Sequence, residues 1–205
     1  MTALRHDVDW RPLLDTVVGS GAAFAPSVLT ERFRTELVAE VTGLPFTDVE
    51  PVVGGRVRQE AGAYVVEDHE LGGYPALGGL REHLVRVIHR YAARVPGLTQ
   101  WSPNEVCVQR YEPGAVGVSP HLDHKRYAGL VVIVTIAGTA DFTLCRDREG
   151  GPIQTWKAGP GSLVLLRGPG LVGVQDGRPL HMVAGPREGH RVSVGIRMDT
   201  RRRNT

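Results

Sequence analysis

The sequence has few cysteines and no long apolar run, and each absence excludes a class of protein. Its 205 residues include two cysteines, Cys107 and Cys145, and both lie in apolar, strand-like stretches. Such cysteines are typical of buried free thiols rather than of a disulfide framework. No apolar run reaches the ~18–20 residues that a membrane-spanning helix needs, and the chain does not open with a charged-then-apolar signal pattern. These absences predict a soluble, cytoplasmic protein.

Net charge and aromatic residues are also scarce. Lysine and arginine number 24 against 22 aspartates and glutamates, giving a formal net charge of +2, and aromatic residues make up 6% of the chain. This balance gives no strong attraction to nucleic acid or to a membrane surface. A basic cluster does end the chain, as "RRRNT", but three arginines at a terminus are typical of a solvated end. We therefore expect residues 201–205 to be a basic, disordered tail.

Glycine and proline, in contrast, are plentiful. The 26 glycines and 14 prolines imply the many turns of a β-rich fold. In the first half, apolar residues at helical spacing predict helices over residues 27–41 and 79–95. The segment between them, "GGRVRQEAGAYVVEDHE", has the pattern of a short hairpin. Residues 1–102 are thus expected to form helices and a hairpin within the same domain as the rest.

The periodicity changes to that of strands after residue 103. Strands are predicted at "NEVCVQRY", "LVVIVTIAG", "DFTLC", "SLVLLRG" and "HRVSVGIRM". Several short strands separated by glycine and proline are typical of a sandwich or jelly roll. We predict an α+β fold in which residues 103–200 form a double-stranded β-helix, that is, a cupin-like jelly roll, with the N-terminal helices packed on it.

One polar stretch, "SPHLDHKRY", precedes the longest apolar strand and contains a candidate metal pair. Because side chains alternate along an extended segment, His121 and Asp123 are expected to point the same way. A bare H-x-D is also common in solvated loops, so a third ligand is needed. His181, beyond three intervening strands, is the candidate. Two histidines and one carboxylate that leave other positions open suit a non-haem Fe(II) oxygenase.

The last predicted strand carries two arginines on one face. Alternation places Arg191, Ser193, Gly195 and Arg197 on one side, and the apolar residues between them on the other. Inward arginines are unfavourable without anionic partners, and a dicarboxylate would supply them. A charged, outward-facing edge strand is the alternative. The presence of the three candidate metal ligands favours the inward orientation.

Together these residues give the chain a resemblance to a known family. From "NEVCVQRYEPGA" to "RVSVGIRM" the sequence resembles the AlkB-like Fe(II)/2-oxoglutarate dioxygenases. The shared pattern is a tyrosine followed by Pro-Gly, then H-x-D, an apolar strand ending in glycine, "PGSLVLLRG", a late histidine and R-x5-R. The resemblance implies that three residues ligate Fe(II): His121, Asp123 and His181.

The resemblance also implies 2-oxoglutarate and O₂ as cosubstrates. Arg191 would bind the distal carboxylate of 2-oxoglutarate, assisted by Tyr111 and Ser193. Arg197 would lie near the proximal, iron-bound end. Gln109 stands where the family has an asparagine; its side chain can still donate an amide hydrogen bond but is one methylene longer.

Departures from the family concern the substrate. Two positions after the ligand aspartate, the founding repair enzyme has an acidic residue that helps to read the damaged base, whereas this chain has Lys125 between His124 and Arg126. These three residues are the candidate substrate-binding residues. The first half also lacks an obvious aromatic pair for sandwiching a flipped base, and its scattered candidates are Tyr64, Tyr74 and Trp101.

Three functions stay open at this point. The first is an oxidoreductase that hydroxylates a small or medium-sized metabolite, with release of succinate and CO₂ and with Lys125 or Arg126 contacting a substrate anion. The second is an AlkB-type demethylase of alkylated bases, in which these cations contact phosphates. The third is a cupin-like metal protein without 2-oxoglutarate chemistry, which the paired arginines disfavour. Near-neutral charge, sparse aromatics and Lys125 favour the first; residues 103–200 would then be the catalytic core and residues 1–102 its support and substrate lid.

Overall fold

The computed structural model describes residues 2–202 and contains three α-helices, each built around an apolar face. Asp9 and Thr30 cap the first two helices, because each side chain accepts a hydrogen bond from a backbone N–H of the first turn. Pro75 begins the third helix, where its missing N–H has no consequence. The helices are α1, Trp10–Ser20; α2, Glu31–Val41; and α3, Pro75–Tyr91.

Within the described residues, thirteen strands form two antiparallel sheets. They are β1, Ala22–Ala25; β2, Thr47–Asp48; β3, Val52–Val53; β4, Val57–Glu60; β5, Gly62–Glu67; β6, Glu105–Tyr111; β7, Gly117–His121; β8, Tyr127–Ala137; β9, Ala140–Cys145; β10, Pro152–Ala158; β11, Leu163–Arg167; β12, His181–Ala184; and β13, Arg191–Asp199. The larger sheet has the order β1-β11-β8-β13-β6-β5-β2, and the smaller has the order β10-β9-β12-β7-β4-β3. The predicted α+β jelly roll is confirmed.

The two faces of β13 border two different apolar clusters. Val194 and Ile196 belong to the large apolar cluster that the helices form with the outer face of the larger sheet. The intervening residues of β13 face the space between the sheets, where a second cluster contains Phe142 and Val183 of the smaller sheet and Val131 of the larger one. The alternation expected for this strand therefore holds, and its polar face lies inside the jelly roll.

The predicted hairpin over residues 54–70 is wrong. β4 and β5 lie in different sheets, because the chain crosses from the smaller to the larger sheet at the buried Ala61. The actual hairpin joins β3 to β4 through Gly54 and Gly55, whose φ angles of 58° and 69° are those that a tight hairpin turn requires. Alternation indicates that a segment is extended, but it does not specify which neighbour the segment pairs with.

The first half of the chain is also more integrated with the core than its description as helices and a hairpin implies. β1 extends one edge of the larger sheet beside β11, and β5 pairs with β6 along its whole length. At the other terminus, Arg201 and Arg202 form ion pairs with Asp199 and Glu105, although the Arg201 side chain stays exposed, and residues 203–205 of the predicted tail lie outside the described residues. Both cysteines are free and buried, as expected. None of the described helices has the length and apolar character needed to cross a membrane.

Candidate active site

The pairing of β7 with β12 brings the two candidate histidine ligands together. His121 ends β7, and the antiparallel register sets His181, the first residue of β12, directly opposite it. Their ring centroids lie 4.3 Å apart. Asp123 follows β7 by two residues, and its carboxylate and the two imidazoles offer ligand atoms that all lie within 4.8 Å of one another. The three residues form a potential metal site, here called the triad.

The hydrogen bonds of the triad prepare it for a cation. Nδ1 of His121 donates to the carbonyl oxygen of Ser119 at 2.9 Å, and Nδ1 of His181 donates to that of Pro179 at 3.0 Å. Each ring therefore carries its proton on Nδ1 and leaves the Nε2 lone pair for a ligand bond. Oδ2 of Asp123 is buried without a hydrogen-bond partner in the described structure. A cation would satisfy this oxygen.

Burial keeps His121 in the protonation state that a metal needs. Desolvation, together with the charge of His181, lowers the pKa of His121 to about 4, against the opposing effect of Asp123. His121 is thus neutral at pH 7 even without a metal. His181 is 2% exposed, and its ring stacks on Phe142 with centroids 5.2 Å apart and an interplanar angle of 9°. This packing fixes the ring plane of the ligand.

The donor set of the triad fits Fe(II). Two imidazole nitrogens and one carboxylate oxygen on neighbouring backbone segments form the arrangement that non-haem Fe(II) oxygenases use, in which other coordination positions stay open. Arg178 supports it from the loop before β12, because its Nη1 donates to the main-chain carbonyl of Asp123 while its Nε donates to Asp176 at 2.8 Å. The loop that leads into His181 therefore also holds the segment that contains Asp123.

The pairing of β13 with β6 aligns the residues expected to bind 2-oxoglutarate. The register sets Arg191 opposite Tyr111, Ser193 opposite Gln109, and Arg197 at the far end of the same face. Because these positions are separated by even numbers of residues, all of their side chains project between the sheets. The structure thus brings the five residues onto one surface.

Arg191 is a buried cation without an acidic partner among the described residues. It is 1% exposed; its Nη1 donates to the Ser193 hydroxyl at 3.3 Å and its Nη2 to the Thr135 hydroxyl at 3.1 Å. The guanidinium lies 5.2 Å from the centroid of the Tyr111 ring, and its Nε has no hydrogen-bond partner. Burial lowers the pKa of Arg191, since desolvation disfavours the charged form. A buried guanidinium held only by hydroxyls is suited to an anion such as a carboxylate.

Thr135 should therefore stabilise the protein through Arg191. Thr135→Val leaves a buried guanidinium N–H without an acceptor, and we expect the free energy of unfolding in urea to fall by about 1–3 kcal/mol. In an Arg191→Met background the same substitution should have almost no effect. The matched control is Thr143→Val, which breaks a 3.0 Å hydroxyl pair with Thr155 elsewhere. Its effect should be the same in both backgrounds, and an equal effect of Thr135→Val in both would contradict the assignment.

Arg197 differs from Arg191 because it has an acidic partner. Its Nη1 lies 3.1 Å from Oε1 of Glu105, a carboxylate that is 3% exposed. The guanidinium also lies 4.9 Å from the centroid of the Tyr127 ring. The sequence pattern predicts that both inward arginines need a ligand anion; for Arg197 the protein itself supplies one.

A cavity of about 280 Å³ connects the triad with Gln109, Tyr111 and Arg197, whereas Arg191 and Ser193 do not line it. Its apolar wall includes Val53 and Val57 of the β3–β4 hairpin, and Gln59 adds a polar group. Its other lining residues include His121, Asp123, His181, Gln109, Tyr111, His124, Tyr127 and Arg197. Such a volume is small for a substrate site and must accommodate any cosubstrate as well.

The three candidate substrate residues lie in different places. His124 lines the cavity. Lys125 is exposed, with its Nζ 3.8 Å from Asp176. Arg126 forms a 3.0 Å ion pair with the fully buried Asp199 and donates to the Tyr127 hydroxyl at 2.8 Å. Neither Lys125 nor Arg126 lines the cavity, so the structure brings only one of the three residues to the triad.

The scattered aromatic residues do not form a base-sandwiching pair at the triad. Trp101 is fully buried, and its indole N–H donates to the carbonyl of Leu130 at 2.8 Å. Tyr64 and Tyr74 contact each other, with hydroxyl oxygens 3.1 Å apart, and neither lines the cavity.

Three residues that support the site are not among those predicted from the sequence. Thr135 is the polar residue in the otherwise apolar run "LVVIVTIAG", and that contrast could have identified it. Glu105 shares its strand face with Gln109 and Tyr111, so alternation could have indicated it. Arg178 lies in an irregular loop, where no periodicity indicates the direction of a side chain.

Similarity to known proteins is found among solved structures, and it concerns the fold. No protein-family model matches the sequence, and no curated protein sequence matches it. Among solved structures, a prolyl hydroxylase from Trichoplax adhaerens in complex with a hypoxia-inducible-factor peptide fragment is similar with a TM-score of 0.66 and 15% identity, covering 92% of this chain and 88% of that one.

Two further structures are similar over nearly their whole length. An oxidoreductase of the 2OG-Fe(II) oxygenase family from Burkholderia pseudomallei has a TM-score of 0.65 and 14% identity, covering 98% of this chain and 96% of that one. AviO1 from Streptomyces viridochromogenes Tue57 has a TM-score of 0.61 and 16% identity, covering 95% and 96%. At such identities the likeness concerns the fold: this chain has the jelly-roll fold of structures that include 2-oxoglutarate-Fe(II) oxygenases.

Proposed function

We propose that the protein is a non-haem Fe(II)/2-oxoglutarate-dependent dioxygenase that hydroxylates a small or medium-sized metabolite. The observation that carries this proposal is the buried guanidinium of Arg191, which has no acidic partner among the described residues and lies on the larger sheet, facing the smaller sheet that carries the triad histidines. A structural metal site alone has no use for such a cation, which is unfavourable until an anion reaches it. This argues against a cupin-like metal protein without 2-oxoglutarate chemistry.

The proposal assigns a separate task to each group. His121, Asp123 and His181 would hold Fe(II), and Arg191 would bind the distal carboxylate of 2-oxoglutarate. Bound iron with 2-oxoglutarate supplies the activation of O₂ that hydroxylates a C–H bond and yields succinate and CO₂. Tyr111, Ser193 and Gln109 would orient the cosubstrate by hydrogen bonds, and Arg197 would lie near its proximal end. Burial of these groups limits the access of water.

A small substrate is the better match to the cavity. About 280 Å³ must hold both 2-oxoglutarate and the reacting part of the substrate. Val53 and Val57 provide an apolar surface for it, and His124 is the candidate polar contact. The proposed contacts of Lys125 or Arg126 with a substrate anion are less well supported, since Arg126 already pairs with Asp199.

The AlkB-type demethylase is less well supported than the metabolite hydroxylase. A flipped base would need stacking partners in the cavity. Trp101 belongs to the core, and Tyr64 is engaged with Tyr74. The net charge of +2 also gives little general attraction to a polyanion.

Turnover of 2-oxoglutarate tests the proposal. Succinate formation with Fe(II), O₂ and a metabolite panel is expected to exceed the substrate-free rate for a subset of small molecules and to disappear in Asp123→Ala. Methylated single-stranded oligonucleotides are the competing substrates. Stimulation by these oligonucleotides, lost in Asp123→Ala, would overturn the preference for a metabolite. Absence of any Fe(II)-dependent succinate formation under all conditions would count against the oxygenase itself.

A further inference from the structure

A cluster of charged residues links the C-terminal segment to the cavity. We call it the tail clasp, and it consists of Glu67, Glu105, Arg197, Asp199 and Arg202. At its centre is Glu105, whose Oε1 lies 3.1 Å from Nη1 of Arg197 and whose Oε2 lies 3.3 Å from Nη2 of Arg202. One buried carboxylate is therefore shared between an arginine of the cavity and an arginine of the basic C-terminal sequence.

The backbone around Arg202 is held in place. The side chain of Asn104 donates from Nδ2 to the carbonyls of Asp199 and Arg202, each at 3.2 Å, and its Oδ1 accepts from the N–H of Asp199 at 2.8 Å. The N–H of Arg202 donates to the carbonyl of Asp199 at 3.1 Å, which closes a turn. On its outer side, Nη1 of Arg202 lies 2.6 Å from a carboxylate oxygen of Glu67. The position of Arg202 thus follows from several independent contacts.

Charge counting shows what Arg202 contributes. Without Arg202, Glu105 and Arg197 would form a neutral pair in which the carboxylate offsets the charge of Arg197. Because Arg202 pairs with the other oxygen of Glu105, this carboxylate is shared between two guanidiniums and does not neutralise Arg197 alone, while Glu67 and Asp199 also pair with Arg202. Arg197 also keeps a buried Nε that has no hydrogen-bond partner among the described residues. The guanidinium of Arg197, which lines the cavity, therefore retains a donor for an anion.

We infer that Arg202 is a positioning residue for the cosubstrate site, acting through Glu105 on Arg197. The inference rests on the proposed function, because 2-oxoglutarate is the anion in question. Arg202 does not line the cavity, and its effect reaches the cosubstrate only through Glu105.

The neighbouring Arg201 provides a matched control. Its side chain is 64% exposed and pairs with Asp199, and it forms no ion pair with Glu105 in the described part of the chain. Arg201→Gln and Arg202→Gln therefore remove the same charge from adjacent positions, but only the second removes a counter-ion of Glu105. Arg202→Lys restores a charge without the two-pronged guanidinium.

Calorimetric titration of 2-oxoglutarate into Mn(II)-loaded protein tests the inference without requiring turnover. We expect the dissociation constant to rise about tenfold in Arg202→Gln, to change by less than about twofold in Arg201→Gln, and to be intermediate in Arg202→Lys. The affinity for Mn(II) measured without 2-oxoglutarate should be the same in all variants. Thermal unfolding under the same conditions shows that each variant is folded at the titration temperature.

The outcomes separate this inference from the proposed function. If the wild type binds 2-oxoglutarate and Arg202→Gln binds it equally well, the role of Arg202 is refuted while the oxygenase proposal stands. An equal loss in Arg201→Gln and Arg202→Gln also refutes it, because a general effect of surface charge would then be sufficient. If the Mn(II)-loaded wild type does not bind 2-oxoglutarate, the proposed function fails, and this inference fails with it.

Discussion

Replacing Arg191 with methionine is expected to weaken 2-oxoglutarate binding by at least about a hundredfold, because a fully desolvated carboxylate loses its only proposed cationic partner at that end. The same substitution should stabilise the protein in the absence of 2-oxoglutarate by about 1–3 kcal/mol, since a buried charge is exchanged for an apolar side chain of similar length. Arg191 is 1% exposed, so bulk solvent screens its charge only weakly. Loss of affinity combined with a gain of stability is the signature of a site that is strained until its ligand binds.

Two measurements check this expectation. Calorimetry on the Mn(II)-loaded protein gives the change in affinity, and urea unfolding of the ligand-free protein gives the change in stability. Arg34→Met is a suitable control, because Arg34 donates to the carbonyl of Ile136 at 2.9 Å from the outer helix layer and does not line the cavity. Unchanged 2-oxoglutarate affinity in Arg191→Met would contradict the assignment, whatever happens to stability.

Asp123→Ala is expected to weaken Mn(II) binding by at least about a hundredfold, because even partners that only orient metal ligands contribute ten- to hundredfold to affinity. Asp123 supplies the only carboxylate of the triad and carries a buried oxygen without a hydrogen-bond partner in the described structure. Removing it leaves two imidazoles that cannot balance the charge of a divalent cation. Succinate formation should be lost together with the metal.

Binding of Mn(II), followed by electron paramagnetic resonance, checks the role of Asp123. The control is His124→Ala, which changes the next residue, lines the same cavity and lies outside the triad. His124→Ala should bind Mn(II) with the wild-type affinity and affect only substrate. Equal losses in the two variants would indicate a general disturbance of the loop instead of a lost ligand.

Periodicity in the sequence was sufficient to predict the jelly roll and the inner face of β13. Every second residue of β13 from Val192 to Ile196 is apolar, so alternation determines which side chains face the helices and which face the space between the sheets. The spacing of His121 and Asp123 also indicated a shared direction. In the structure the two residues are not in one strand, because β7 ends at His121 and Asp123 lies in the following loop.

Long-range pairing could not be predicted in the same way. The sheet membership of β4 and β5 depends on a crossing at Ala61 that leaves no periodic signal. Arg126 looks free in "HKRY", yet its partner Asp199 lies in the last strand, so only the folded chain reveals the pair. Similarly, the basic C-terminal sequence looked solvated because its partner Glu105 is distant in the chain. A local sequence pattern therefore misassigns charged residues whose ion-pair partners are distant in the chain.

The most direct test of the account is an anaerobic titration of the Fe(II)-loaded wild type with 2-oxoglutarate, followed by its visible absorption band. The account predicts saturable binding with one equivalent of 2-oxoglutarate, strongly weakened in Arg191→Met and absent in Asp123→Ala. This result would require both the triad, whose histidines lie on the smaller sheet, and the buried guanidinium of Arg191 on the larger sheet. An Fe(II)-loaded protein that shows no 2-oxoglutarate binding would contradict it.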